Sequence, residues 1–283
     1  MPQQKTTGRA VVNGIFKTLI ITLSVVSITP LLLILFHIFI EGISAIKPSF
    51  FTTLPKPVGE EGGGIANALV GSIFIVFFAT LFSLPFGISV GVYLSEAKKS
   101  KFGDVVRICM EVLQGTPSIV IGIIAYIWVV RPMGHFSAIS GSVALAIMML
   151  PVVVRSTEET LSLIPQSLKE ASLALGAPYY VTMIRIVIPA GLSGIITGVL
   201  LSVARIAGET APLLFTAFGS QFMNYNMLKP MSSLPQVIYV YAISPYDTWH
   251  QLAWGASLVL IVLVLGLNIV SRVVARRWNR FQQ

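Results

Sequence analysis

Residues 68–94 read ALVGSIFIVFFATLFSLPFGISVGVYL, 27 positions without one Asp, Glu, Lys or Arg. A helix crossing ~30 Å of hydrocarbon needs about 20 mostly apolar residues, and this stretch exceeds that length. Toward the N-terminus a second run, Thr18–Ile40, follows Lys5, Arg9 and Lys17. Its apolar part is too long for a signal-peptide core and no small-residue cleavage site follows, so it reads as an uncleaved first span. Toward the C-terminus come Ile108–Val130, interrupted at Gly115–Thr116–Pro117, then Ser140–Val154, Leu192–Phe218 and Leu252–Val274. The expected fold class is all-α, a polytopic membrane protein of about six transmembrane helices.

Composition agrees. Of 283 residues 55% are hydrophobic and 11% charged, with a mean hydropathy of +0.84. A soluble domain carries about 25% charged residues, so this chain lacks the polar surface to cover a globule in water. The formal net charge of +8 is explained by basic residues that flank spans and fix topology, without a nucleic-acid partner. With the N-terminus cytoplasmic, 14 Lys and Arg fall on the inner side and 4 on the outer, Arg205 lying within a span. That asymmetry predicts an even number of spans with both termini inside. Cys109 is the one cysteine, and His37, His135 and His250 are widely separated, which excludes a thiolate cluster and offers no metal-ligand spacing. No Gly-Lys pair occurs, so a phosphate-binding G-x-x-x-x-G-K loop is absent. If ATP drives this protein, another subunit binds it.

Prolines interrupt several spans (Pro30, Pro85, Pro117, Pro151, Pro212), as membrane helices allow when neighbours satisfy the freed carbonyls. Gly87-x-x-x-Gly91 and Gly194-x-x-x-Gly198 offer faces for close helix approach. The outer stretch from Gly59 to Gly64 reads as a flexible linker.

Between the fourth and fifth spans lies a long inner loop, roughly 155–190, which reads as two short helices. Ser167-x-x-Glu170 has the form of a capping box. Leu168, Ala171, Ser172 and Leu175 follow at helical spacing, Gly176 supplies a left-handed stop, and Pro178 prevents continuation. So short a helix is unstable alone, and a partner's groove is its natural support.

The series Glu170–Ala171–Ser172, Gly176 and Ile186–Val187–Ile188–Pro189 resembles the E-A-A-x-x-x-G-x₉-I-x-L-P loop of bacterial ABC-importer permeases, with Ser172 and Ile188 as conservative departures. The resemblance implies a type I importer permease fold, and a helix bearing Glu170, Ala171, Ser172 and Gly176 that docks into a cytoplasmic ATPase. It also implies a domain plan. Residues 1–64 hold a tail, the first span and an outer loop. Residues 65–274 hold the permease domain, with a coupling loop at 155–190, and 275–283 form a basic inner tail.

Within the fifth span stands Arg205–Ile206–Ala207–Gly208–Glu209–Thr210–Ala211–Pro212. Arg205 is 13 residues past Leu192, ~20 Å along a helix, and an Arg at mid-membrane costs about 2.5–3.5 kcal/mol on insertion scales. Glu209 follows at i+4, and Pro212 cannot donate to the Gly208 carbonyl. One reading is a structural ion pair. The other is an anion path, because a guanidinium suits tetrahedral oxyanions and a carboxylate can accept the P–OH proton that sulfate lacks.

This string, with Leu234–Pro235, Ser244–Pro245 and Gln251–Leu252–Ala253–Trp254, is similar to the phosphate-specific permeases of ABC importers. The resemblance covers about the last 215 residues and adds Arg155, at the end of Pro151–Val152–Val153–Val154–Arg155, to the anion path. By its position alone Arg155 reads equally as a topology charge. The family implies no catalytic role and no cofactor on this chain, with ATP and Mg at a partner ATPase. Its expected partners are a second related permease, two ATPase copies, an extracytoplasmic phosphate-binding protein, inorganic phosphate and membrane lipid. The expected location is a bacterial inner membrane. The competing functions are a permease for sulfate or molybdate and an ATP-independent transporter or channel. A membrane enzyme is more remote, for want of a nucleophile–base set.

Overall fold

The computed structural model describes residues 4–57, 60 and 62–281. Gly59 and Glu61 of the outer Gly-rich stretch, and the last residues of the basic tail, lie outside the described residues, as do the side chains of Lys5, Arg276, Arg277 and Arg280. Every named element is helical: α1 (Gln4–Ala45), α2 (Pro48–Thr52), α3 (Ala66–Glu96), α4 (Lys101–Gly115), α5 (Ser118–Ala125), α6 (Arg131–Met133), α7 (Ala138–Ser162), α8 (Gln166–Ala174), α9 (Tyr179–Thr182), α10 (Ile188–Ile206), α11 (Ala211–Leu214), α12 (Leu234–Ala242) and α13 (Asp247–Phe281). Two π-helical turns, Tyr126–Val130 and Met183–Val187, each stand just before a segment containing a proline, Pro132 or Pro189. A widened turn accommodates a residue that lacks an N–H and clashes with the preceding carbonyl.

Five helices are long and apolar enough to span a membrane, and a sixth passes the same test as a pair bent by 105° between Lys101–Gly115 and Ser118–Met133. Five of the six expected spans are thus single helices among the described residues, the third corresponds to the bent pair, and three have different limits. The third is no straight helix. Pro117 ends α4, and the chain turns sharply before α5. The fourth is longer than expected, because Arg155, Glu158 and Glu159 continue α7 to Ser162. The fifth runs Tyr179–Ile206 rather than Leu192–Phe218. Hydropathy marks where lipid surrounds a helix, whereas Pro178 and the Ala207–Gly208 turn decide where this one begins and ends.

Small residues set the packing. Helices α3 and α7 run parallel, with Gly87 against Val153 and Gly91 against Thr157. A Cβ at Gly87 would stand 2.7 Å from Val153 Cγ1, and at Gly91 2.5 Å from Thr157 Cβ. Helix α10 runs antiparallel to α7, with Gly191, Gly194 and Gly198 against Leu161, Thr160 and Ser156. Both G-x-x-x-G faces are thus true contacts. Gly122 of α5 meets Pro212 of α11, so the second arm of the bent pair touches the short helix that follows the fifth span. Helix α1 packs on α13 near its C-terminal end, where His37 and Trp254 lie edge to face at 4.9 Å and Gly42 abuts Leu258.

The Gly-rich stretch corrects its sequence reading. Gly62 and Gly63 adopt φ of 87° and 101°, and the Gly64 N–H donates to Leu54 O at 3.2 Å. A Cβ at Gly64 would lie 2.5 Å from Phe50 O. Residues 62–64 form a turn folded onto α2, not a flexible linker.

Candidate functional site

Two candidate regions stand at different depths. The end of the bundle where α3 and α7 finish carries α8. This helix is not opened by the expected capping box. Its N-cap is Pro165, without a side-chain cap hydrogen bond, and Ser167 lies one residue inside the helix. Glu170 is therefore exposed on the helix body, where it cannot reach back to an N-cap amide. The C-terminal stop is as expected. Gly176 has φ of 83°, its N–H donates to Leu173 O at 2.9 Å, and the Ala177 N–H donates to Ser172 O at 3.3 Å. This pair of bonds closes the helix in a Schellman motif, and Pro178 then opens α9.

The expected apolar stripe divides. Ser172 is buried against the chain, while Leu168, Ala171, Leu173 and Leu175 are exposed, Leu175 at 89%. Nearby Leu163 is exposed at 83%. A short helix that buries Lys169 and Ser172 and turns its leucines outward presents an exposed apolar surface.

Arg205 occupies the last turn of α10, which ends at Ile206. The expectation that Glu209 shares its helix face is corrected. The chain leaves the α-helix through tighter turns, the Gly208 N–H donating to Arg205 O and the Glu209 N–H to Ile206 O, both at 3.2 Å. Those turns still bring Glu209 Oε1 to 4.0 Å from Arg205 Nε. Pro212 then sits in the first turn of α11, where a missing N–H costs nothing.

Depth follows from register. Gly194 opposite Thr160 and Gly198 opposite Ser156 carry the antiparallel pairing on to Arg205 opposite Met149. Met149 is close to the middle of α7, ~17 Å from its first residue at 1.5 Å per residue. Carried on at that register, Arg205 is level with the middle of α7, and its side chain is 48% exposed. Hydrocarbon is not a tolerable neighbour for that group.

Arg155 lies nearer the α8 end. Its Nε donates to Glu159 Oε1 at 2.8 Å, with both side chains more than half exposed. It faces a cleft of about 570 Å³ between α4 and α7, lined also by Arg107, Glu111, Gln114 and Glu158. Arg107 holds the cleft's edge. It donates to Glu158 Oε1 at 2.7 Å, to Asp104 Oδ1 at 2.9 Å and to Leu94 O at 3.0 Å. Among the described residues no hydrogen bond or ion pair joins Arg155 to Arg205 or Glu209. Sequence reasoning missed Arg107, Glu158 and the ion pair of Glu96 with Lys169. In the sequence Arg107 and Lys169 count only as inner topology charges and Glu96 and Glu158 carry no signal, and only their pairing across helices distinguishes them.

The chain matches the family described as "Binding-protein-dependent transport system inner membrane component" over residues 83–280. It is 43% identical over 245 residues to the phosphate transport system permease protein PstA of Yersinia pestis, which covers 86% of this chain and 83% of that one. Against the PstA of Haemophilus influenzae identity is 45% over 241 residues, 85% of each chain. The probable PstA of Methanocaldococcus jannaschii is 34% identical over 96% of both. The fold is similar to that of the MetNI methionine ABC transporter in an inward-facing conformation (TM-score 0.65, 19% identity, 76% of this chain and 95% of that one). It is also similar to a bacterial alginate ABC transporter solved with an alginate pentasaccharide-bound periplasmic protein (TM-score 0.65, 14% identity, 98% of each chain). The chain belongs to the binding-protein-dependent transport system inner membrane components, and within that family it groups with the PstA permeases.

Proposed function

We propose that this chain is the phosphate permease subunit of an ATP-driven importer, forming one half of a translocation pore. The observation that carries the reading is Arg205, a half-exposed guanidinium at mid-depth of the bundle, with Glu209 4.0 Å away. A charge so placed belongs against water or a protein partner, and a second permease closing on this face would give it a polar path. The phosphate relatives favour that cargo over sulfate or molybdate. In the path Arg205 balances the oxyanion charge, Glu209 accepts a hydrogen bond from the P–OH of hydrogen phosphate, and Arg155 receives the anion in the cleft toward α8. ATP and Mg act at a separate ATPase present in two copies, one of which docks on the exposed leucine face of α8, where Glu170, Ala171 and Gly176 carry the family motif. An extracytoplasmic binding protein delivers phosphate at the opposite end. The basic bias of the α8 end supports an orientation with that end and both termini cytoplasmic.

The test is ATP-dependent phosphate uptake into vesicles reconstituted with the complete transporter. Arg205→Gln should reduce uptake by about tenfold or more, the loss expected for one charge-assisted contact. Full uptake would overturn the anion path. Gly176→Pro should abolish co-purification of the ATPase, which a channel acting alone would not need.

A further inference from the structure

Helix α8 has only two buried residues, Lys169 and Ser172, and they are tied to different helices. Lys169 Nζ forms an ion pair with Glu96 Oε1, at the last residue of α3. The other oxygen, Glu96 Oε2, accepts a hydrogen bond from Tyr179 Oη at 2.8 Å, at the first residue of α9. Ser172 Oγ lies 2.8 Å from Thr182 Oγ1, also on α9. One carboxylate thus joins α8, the end of α3 and the beginning of the span that leads to Arg205.

We propose that Glu96 is a positioning residue that passes the displacement of α8 into α3. This rests on the reading that α8 docks on an ATPase. A nine-residue helix has little stability of its own, so a load applied to its exposed leucines leaves it through the groups it grips. Ser172 and Thr182 form one branch, toward α10. Lys169 and Glu96 form the other, toward α3. From Glu96 the load enters a helix locked to α7 at Gly87 and Gly91, where close packing leaves no room for sliding. Helix α7 carries Arg155 and Glu158, so this branch reaches the charged cleft. The Lys169 and Glu96 side chains are 11% and 27% exposed. An ion pair so withdrawn from water adds little net stability, but it can fix one arrangement of its elements.

The experiment measures phosphate transported per ATP hydrolysed by the complete reconstituted transporter. Glu96→Gln should retain the ATPase and continue hydrolysis, while the transport-to-hydrolysis ratio falls about fivefold or more, within the range of site-to-site coupling. Tyr179→Phe, which removes one hydroxyl, should lower the ratio less, and it decides the matter if Glu96→Gln does not assemble. The double exchange of Glu96→Lys with Lys169→Glu should restore part of the ratio lost by either single exchange. An unchanged ratio in Glu96→Gln and Tyr179→Phe, or no recovery in an assembled double exchange, would overturn the transmission step alone. Leu175→Asp separates this from the docking reading. It should release the ATPase, and retention there would overturn docking instead.

Discussion

At Arg205 the cost of placement is the argument for the proposed use of the residue. A guanidinium at mid-depth is expensive in lipid, and Glu209 at 4.0 Å compensates it only partly. The carboxylate has a second consequence. In the proposed anion path it accepts a hydrogen bond from the P–OH of hydrogen phosphate and repels fully ionised sulfate, and hydrogen bonds to an ionised acceptor are roughly twice as strong as neutral ones. Glu209→Gln is therefore expected to shift the phosphate-to-sulfate uptake ratio by about tenfold toward sulfate, the equivalent of ~1.4 kcal/mol. Competition uptake in reconstituted vesicles measures it, and equal effects on both anions would remove Glu209 from selectivity.

For the elements, glycine decides two outcomes of opposite sign. In the middle of a helix Gly→Ala ordinarily stabilises by about 0.5–1 kcal/mol. Gly266 of α13 has nothing within 4 Å of an added Cβ, so Gly266→Ala should raise the thermal midpoint slightly. Gly198 of α10 abuts Ser156 of α7, so Gly198→Ala should instead destabilise by about 1–3 kcal/mol through overpacking. Thermal unfolding in detergent compares the two. Gly176 is a third case. Its added Cβ would also meet open space, but its φ is 83°, so Gly176→Ala carries only the left-handed backbone cost of about 1–2 kcal/mol. That should fray α8 and weaken ATPase retention about fivefold or more, and Gly176→Asn should weaken it less because Asn tolerates this conformation. The capping box expected at Ser167 shows the limit of motif reading at this scale. Its residues are present, but Pro165 starts the helix two residues earlier and displaces the box into the first turns.

Across the whole molecule, the parallel α3–α7 pair and the antiparallel α10 form the frame, while α4 lies bent away from α5 by 105°. Helix α1 is exposed along its span and joins the rest through α13. The single pass Tyr179–Ile206 between them puts Leu175 and Tyr225, both exposed, at opposite ends. In a Cys109→Ala background, Leu175→Cys should react with a membrane-impermeant thiol reagent only from the cytoplasmic side, and Tyr225→Cys only from the other. Labelling of both from one side would overturn the six-pass arrangement.

The apolar runs, the basic bias and the Gly176–Pro178 stop were legible in the sequence because each acts locally. Lipid surrounds a helix residue by residue, and a left-handed turn needs only its own glycine. Helix limits were less legible, since Arg155, Glu158 and Glu159 look like a span's end yet continue α7 to Ser162. The depth of Arg205 was read from a span start at Leu192 that proved 13 residues late, and it is the α10–α7 register, continued from Gly198 opposite Ser156, that puts it level with the middle of α7. Nothing local pairs Lys169 with Glu96, 73 positions away, or Arg107 with Glu158, 51 away. A charge chooses its partner by distance in space. The sequence determined what must lie in lipid and where the chain turns, while the tertiary structure alone decided which charges meet.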